Sequence, residues 1–242
     1  MKRKLKIKII LVVCLLLVAL LGSLIAPYDP LKVNYNLSLQ GPSLSHLFGT
    51  DKLGRDILSR ILCGAKTSFG LTFLMLFLIV IIGVSIGLFA GLLGGKAEHF
   101  LNSLMNGILA FPDTIFAIAV VGVIGEGLFN TVFALAFVWW PKYARLTLAL
   151  VKQEKNKDYL IVAKMSGVPL ITRILRYLLP NILSQILITA FLDIGNMMLS
   201  LAGLSFLGLA SQPPYPEWGA MLYESKQYIK SQAKTGFIAE KY

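Results

Sequence analysis

Long apolar stretches separated by short polar segments dominate the chain. The apolar stretches cover 9–26, 69–95, 101–125, 129–151 and 181–210, and each is close to or above the roughly 18 residues that a helix needs to cross a bilayer. Hydrophobic residues make up 56% of the chain, which is rare in a soluble domain because its surface must be wetted. The pattern predicts an all-α, polytopic membrane protein with about five spanning helices.

The distribution of positive charge predicts the orientation of the chain. The net charge is +11, but the basic residues lie between apolar stretches, as in cytoplasmic loops, and form no tract for nucleic acid. Residues 1–8 carry five Lys/Arg and predict a cytoplasmic N-terminus. No small-residue cleavage site follows 9–26, which favours an uncleaved first helix over a signal peptide. Eight Lys/Arg from Lys142 to Arg176 place that segment on the same side, as four spans require.

Several classes of chemical site are not supported by the sequence. Two Cys and two His are scattered along the chain, so we predict no metal site, no disulfide framework and no bound cofactor. The segment from Gly49 to Gly54 lacks the Lys and Ser/Thr of a phosphate-binding loop. A membrane enzyme needs converging reactive side chains, whereas only Asp113 and Asp193 were found inside the apolar stretches. We therefore predict that the chain is not an enzyme.

Polar side chains within the apolar stretches are candidates for a translocation path. One arc of the fifth stretch carries Asn181, Gln185, Thr189, Asp193, Asn196 and Ser200, at helical spacing. Within it, the path candidates are Thr189, Asp193, Asn196 and Met197. Asp193 either lines the path or hydrogen-bonds a neighbouring helix during assembly. Asp113, next to Pro112, either lines the path or caps the half-helix that begins there.

Glycines recur every four residues in the second apolar stretch, at Gly83, Gly87 and Gly91. This spacing predicts a face on which another helix packs closely. The alternative is that glycine is merely tolerated in lipid.

The segment 157–181 resembles the cytoplasmic coupling loop of bacterial ABC importer permeases. Ala163 and Gly167, nine further residues and then Leu179-Pro180 after Tyr177 follow that pattern. Ile161 and Val162 stand where the family usually has Glu and Ala, and Tyr177 occupies an aliphatic position. The resemblance implies that a separate ATPase contacts this loop. The implied coupling residues are Asp158, Ala163, Lys164, Gly167, Arg173, Arg176, Leu179 and Pro180.

Two further motifs resemble the peptide and nickel branch of these permeases. In the external loop 27–68, which we expect to hold an interfacial helix, the matching residues are Gly49, Thr50, Asp51, Gly54, Arg55 and Asp56. The second motif, from Leu204 to Leu222, resembles the family's external loop, on the side of the substrate-binding protein. The stretch 192–198 and the residues around 216–221 look most like the C-type subunit of nickel importers.

The resemblance implies a multi-pass permease subunit of the cytoplasmic membrane, with its core in 69–228. It would form the path for nickel or a nickel chelate, with dipeptides or oligopeptides as the alternative substrate. An ion-coupled secondary transporter with Asp193 as its ion site is the competing class. The implied partners are a second homologous permease, two ATP-binding subunits, an extracytoplasmic binding protein and the lipid bilayer, with no nucleic acid. The family has a sixth apolar helix after Tyr228, whereas 229–242 cannot span a bilayer, which predicts a truncated or frame-shifted C-terminus.

Overall fold

The computed structural model describes residues 17–18, 20–210 and 214–226, and within them the secondary structure is helical. The only β-type pairing there is an isolated bridge between Thr50 and Asp56. The main helices are α1 (Ile57–Leu93), α2 (Gly95–Leu109), α3 (Asp113–Ile124), α4 (Leu128–Glu154), α5 (Asp158–Met165) and α6 (Leu170–Phe206). Residues 20–25 and 218–226 are also helical. The all-α prediction is confirmed.

Two helices in the described part of the chain, α1 and α6, are long and apolar enough to cross a membrane. The pair α2 and α3 passes the same test only when it is counted as one broken span. Helix α4 is not among them, so its crossing stays a prediction. Most of the first predicted span, 9–26, and all of the C-terminal segment 229–242 lie outside the described residues.

Two helices begin earlier in the chain than the spans predicted from the sequence. Helix α1 begins at Ile57, so the helix expected in the loop 27–68 is present and is continuous with the predicted second span. Helix α6 begins at Leu170, well before the predicted start of the fifth span at 181. Nothing in 57–68 breaks the helix, since it contains no proline, and polarity alone does not end a helix.

The third predicted span is not a straight helix. Helices α2 and α3 meet at 94° around Phe111 and Pro112. Pro112 is the N-cap residue of α3, and no side chain makes a capping hydrogen bond there. Asp113 is the first residue of α3 and is exposed. The capping role considered for Asp113 is therefore wrong, although its charge is favourable near the positive end of the helix dipole.

The chain forms two compact units. In the described part of the first unit (1–71, 126–129 and 201–242), Trp218 packs against the start of α1. Its indole Nε1 donates to the Ile61 carbonyl at 3.0 Å, and its ring meets Phe69 edge-on at 6.0 Å. Glu217 is buried and accepts from the amides of Gly219 and Ala220 at 3.0 and 2.8 Å. These bonds fix where the helix at 218–226 begins.

In the second unit (72–125 and 130–200), the glycines of α1 lie directly against α4. A Cβ atom on Gly87 would stand 2.4 Å from the carbonyl oxygen of Ala144, and one on Gly83 would stand 2.6 Å from the Cβ of Tyr143. Both distances are far below van der Waals contact. The predicted packing face is confirmed, and mere tolerance of glycine in lipid does not explain it.

Candidate functional site

Asp193 of α6 is buried and binds two side chains of α4. Its Oδ2 atom accepts from Lys142 Nζ at 2.6 Å and from the Tyr143 hydroxyl at 3.0 Å. Tyr143 is fully buried and is held in place where α4 packs on the α1 glycines. A carboxylate in an apolar helix is costly unless it is paired. Asp193 therefore does bond a neighbouring helix, as one of its two predicted roles requires.

A cavity of about 440 Å³ lies beside this ion pair, within the second unit. Charged groups of both signs line it, Asp113 from α3 together with Lys142 and Arg145 from α4. Trp139 also lines it, with Lys142 Nζ lying 5.3 Å from the ring centroid. The indole Nε1 is buried and has no hydrogen-bond partner among the described residues. The cavity is thus lined by two cations and one carboxylate.

The cavity brings together only some of the predicted path residues. Asp113 lines it, and Asp193 reaches it through Lys142. Met197 is fully buried and Asn196 is exposed. The Thr189 hydroxyl donates to the Gln185 carbonyl in its own helix at 3.0 Å, a local bond common for Thr in helices. The polar residues of α6 share one side of the helix, but their side chains do not converge on one site.

Sequence reasoning counted Lys142 among the cytoplasmic basic residues and did not pair it with Asp193. The available signal was a lysine and an aspartate lying in two separate apolar stretches, because such charges tend to pair with each other inside a membrane domain.

The predicted coupling loop folds as a short helix, a turn and the start of α6. Gly167, in the turn, has φ +75°, a backbone angle that residues other than glycine rarely adopt. The first residues of α6 include a π-helical segment, Arg173–Leu178. Among the predicted coupling residues Ala163 is buried, Arg173 and Leu179 are half-buried, and the exposed ones are Asp158, Lys164, Gly167, Arg176 and Pro180.

A network that the sequence did not suggest ties α5 to its neighbours. Glu154, the last residue of α4, accepts from Lys157 Nζ at 2.6 Å and from the Tyr159 hydroxyl. The amide of Asn181 in α6 donates to the Tyr159 oxygen at 3.2 Å. Burial, and then the hydrogen bond to Glu154, raise the pKa of Tyr159 to about 12. Tyr159 therefore stays a neutral donor at physiological pH, and α5 is anchored at its first turn.

In the first unit, the predicted external residues fold their own loop and the start of α1. Asp51 accepts from the Arg55 amide at 3.0 Å and from Arg55 Nε at 2.6 Å. Arg55 Nη2 continues to Glu224 at 2.8 Å, and Arg60 Nη2 reaches the same Glu224 oxygen at 3.1 Å. Both arginines are almost completely buried.

Steric constraints require glycine at two positions of this motif. Gly49 and Gly54 have φ values of +73° and +71°. A Cβ on Gly54 would stand 1.7 Å from the carbonyl oxygen of Asn34, and one on Gly49 would stand 2.4 Å from that of Gln40. The backbone passes too closely at both positions for any side chain. The Thr50 hydroxyl adds a link by accepting from the Gln40 amide at 2.9 Å.

Asp56 holds the beginning of α1. Its Oδ2 accepts from the Ser59 amide at 2.8 Å and from the Ser59 hydroxyl at 2.6 Å, while Oδ1 lies 2.9 Å from His46 Nδ1. The bond to the amide three residues on is that of an N-cap. Burial by itself raises the pKa of Asp56, but the bonds from Ser59 and His46 outweigh it and hold the pKa below its ordinary value.

Comparison with known proteins identifies the family. The model of the binding-protein-dependent transport system inner membrane component matches residues 83–238. The nickel transport system permease protein NikC of Escherichia coli (strain K12) is 35% identical over 227 residues, covering 94% of this chain and 82% of the relative.

Two other relatives are similar to a comparable degree. The dipeptide transport system permease protein DppC of Alkalihalophilus pseudofirmus is 37% identical, covering 92% of this chain and 73% of the relative. The glutathione transport system permease protein GsiD of Shigella flexneri is 42% identical, covering 89% of this chain and 71% of the relative. This chain belongs to the family of binding-protein-dependent transport system inner membrane components, the multi-pass ABC importer permeases of the peptide and nickel group.

Proposed function

We propose that this chain is the permease subunit through which nickel, as a chelate, crosses the cytoplasmic membrane. The names of its relatives include nickel, dipeptide and glutathione systems at similar identity, so family membership leaves the substrate open. The residues 192–198 and 216–221, which look most like a nickel-importer subunit, support nickel.

The cavity beside Asp193 is the observation that carries this proposal. Lys142 and Arg145 line it, and two cations would repel a bare Ni²⁺ ion but attract the carboxylates of a chelating ligand. Among the described residues, no three His, Cys, Asp or Glu side chains come together to hold a metal. A chelate would instead be handled through its organic ligand. Asp113 supplies an acceptor for an amine of that ligand.

A short peptide is the second candidate, because the same cavity suits it. A zwitterionic peptide carries a carboxylate for Lys142 or Arg145 and an ammonium group for Asp113. Peptide substrates also agree with the names of the dipeptide and glutathione relatives. Both substrates therefore require the same charged cavity, and uptake measurements must separate them.

Transport would be driven by partner subunits. We assign two ATP-binding subunits to the cytoplasmic face, where the exposed residues of the coupling loop include Asp158, Lys164 and Arg176. A second homologous permease completes the path, an extracytoplasmic binding protein delivers the substrate on the side of the Asp51–Asp56 loop, and the N-terminus is cytoplasmic. ATP hydrolysis then belongs to the partners, which bias the permease between its conformations. Dependence on ATPases separates this mechanism from an ion-coupled transporter.

Uptake in cells that lack this chain tests the proposal. Accumulation of radioactive nickel and of labelled dipeptide is measured in the deletion strain and after the chain is restored, each with and without a nickel-chelating ligand such as histidine. Restored nickel uptake that increases with the chelating ligand supports the proposal. Restored dipeptide uptake alone assigns the chain to the second candidate, and uptake that persists without the ATP-binding subunits contradicts the ABC mechanism.

A further inference from the structure

A second cavity in the second unit lies between α5 and the start of α6. Its volume is about 470 Å³. Three basic residues, Lys155, Lys164 and Arg173, line it, and its other lining residues are apolar. No carboxylate among the described residues lines it, in contrast to the mixed charges around Asp193. The lining of the cavity therefore combines positive charge with apolar side chains.

The cavity lies where three long helices begin or end. Leu92 is the penultimate residue of α1, and Leu178 directly precedes the long α-helical part of α6. Lys155 follows the last residue of α4, and its Nζ donates to the Gly91 carbonyl at 3.3 Å. The ends of three long helices thus meet here. We expect the ends of spanning helices to lie near the level at which the hydrocarbon core gives way to lipid head groups.

One residue that lines this cavity, Arg173, carries a donor without an acceptor among the described residues. The Nε of Arg173 is buried and has no hydrogen-bond partner in the described structure. A buried donor without a partner destabilises the protein, and phosphate oxygens are well suited to guanidinium N–H groups. Apolar walls that include Ile161 and Met165 would suit the acyl chain of the same molecule. These requirements are those of an anionic amphiphile.

We propose that this cavity binds the phosphate head group of an anionic phospholipid, with an acyl chain on its apolar walls. The lipid would bridge α5 to the start of α6, so the position of the coupling helix would depend on lipid composition. Juxtamembrane basic groups gain affinity for anionic lipid in this way. The assignment to the cytoplasmic leaflet rests on the proposed function, but binding itself does not.

Bound lipid on the purified transporter tests this proposal. The chain is purified with its partner subunits in detergent, stripped of lipid and titrated with phosphatidylglycerol or, as a neutral probe, phosphatidylcholine. Mass spectrometry counts the retained lipid. Phosphatidylglycerol should be retained preferentially, and Arg173→Gln should lower its affinity on the order of fivefold, the effect of one juxtamembrane charge.

Arg176→Gln is the matched control, because Arg176 is three residues away on the same helix, is exposed and does not line the cavity. It should retain phosphatidylglycerol like the wild type. Lys164→Gln, at an exposed position of α5, provides a second variant in case Arg173→Gln does not fold. Equal retention of the two lipids, or equal loss in the Arg173 and Arg176 variants, would overturn the proposal.

The other possible occupant is an acidic side chain of an ATP-binding subunit. Its presence is measured in the same samples from the amount of ATPase that copurifies. An Arg173→Gln transporter that loses ATPase but keeps its phosphatidylglycerol would show that the cavity receives the ATPase, against the proposal. Loss of lipid with full ATPase content supports it. Neither readout involves substrate, so failure of the proposed substrate would appear only in the uptake assay.

Discussion

Lys142 and Asp193 connect α4 to α6 through an ion pair with 2.6 Å between Nζ and Oδ2. The two partners differ in exposure, since 46% of the Lys142 side chain is exposed and only 9% of that of Asp193. The lysine can therefore reach other partners, whereas the carboxylate depends on Lys142 and Tyr143. Removal of the carboxylate should thus cost more than removal of the amine.

Asp193→Leu should destabilise the protein by about 1–3 kcal/mol, because the buried Tyr143 hydroxyl loses its acceptor. Asp193→Asn keeps an acceptor and should destabilise less, while both variants should lose uptake if the charge serves the path. Thermal unfolding in detergent and uptake in cells measure the two effects. Ser200→Ala is the control, since that hydroxyl donates to the Asn196 carbonyl of its own helix. If Asp193→Leu is as stable as the wild type, the Asp193 carboxylate is not needed to satisfy the Tyr143 hydroxyl.

Gly87→Ala should separate α1 from α4. The new Cβ would stand 2.4 Å from the Ala144 carbonyl oxygen, and backbone cannot move aside as a side chain can. We expect a loss of about 1–3 kcal/mol, the usual effect of overpacking. Gly107→Ala is a matched control in α2, where a Cβ meets nothing within 4 Å. The prediction fails if both variants unfold at the same temperature.

Gly167→Val should uncouple ATP hydrolysis from uptake. Gly167 has φ +75° and open space around it, so the cost of the substitution is backbone strain of roughly 1–2 kcal/mol, which would reshape the turn between α5 and α6. ATPase activity and uptake are measured on the same preparation. Gly167→Asn should retain coupling, because asparagine adopts this conformation more readily. Full coupling in the valine variant would argue against a role of the turn in coupling.

Glu224→Gln should destabilise the first unit by about 3–5 kcal/mol, as loss of one partner of a buried ion pair does. Among the described residues, the change leaves Arg55 and Arg60 with only the Asp51 carboxylate for two buried cations. Glu98→Gln is the comparison, because its partner Lys152 is 47% exposed and exposed pairs contribute about 0–1 kcal/mol. Thermal unfolding of both variants checks the difference. Similar losses of stability in the two variants would mean that the ion pairs of Glu224 with Arg55 and Arg60 are better solvated than their burial indicates.

Local patterns in the sequence predicted local structure well. The glycine spacing at Gly83 and Gly87 identified a packing face, because close helix approach needs small residues at that period. Pro112 marked a break between helices. The angle of that break could not be predicted, because it is set by packing around α2 and α3 and not by the proline itself.

The partners of charged residues were harder to predict. Asp193 was singled out, but Lys142 lies 51 residues away and Glu224 lies 169 residues from Arg55. No periodicity connects such pairs. The polar arc of α6 predicted more path residues than the structure supports, since the hydroxyls of Thr189 and Ser200 donate to carbonyls of their own helix. The spacing of polar residues along a helix shows which face is polar, but not which side chains on that face are free to contact a substrate.

The π-helical segment Arg173–Leu178 sets the angular phase between the coupling turn and the rest of α6. Its hydrogen bonds run between residues five apart and so accommodate one residue more than an α-helical turn does. Conversion of this segment to α-helix would rotate everything on one side of it by about 100° relative to the other. Such a rotation would carry Asp193 away from Lys142 without any change in the length of the chain. A six-residue stretch thereby governs which face of the following helix is directed toward α4.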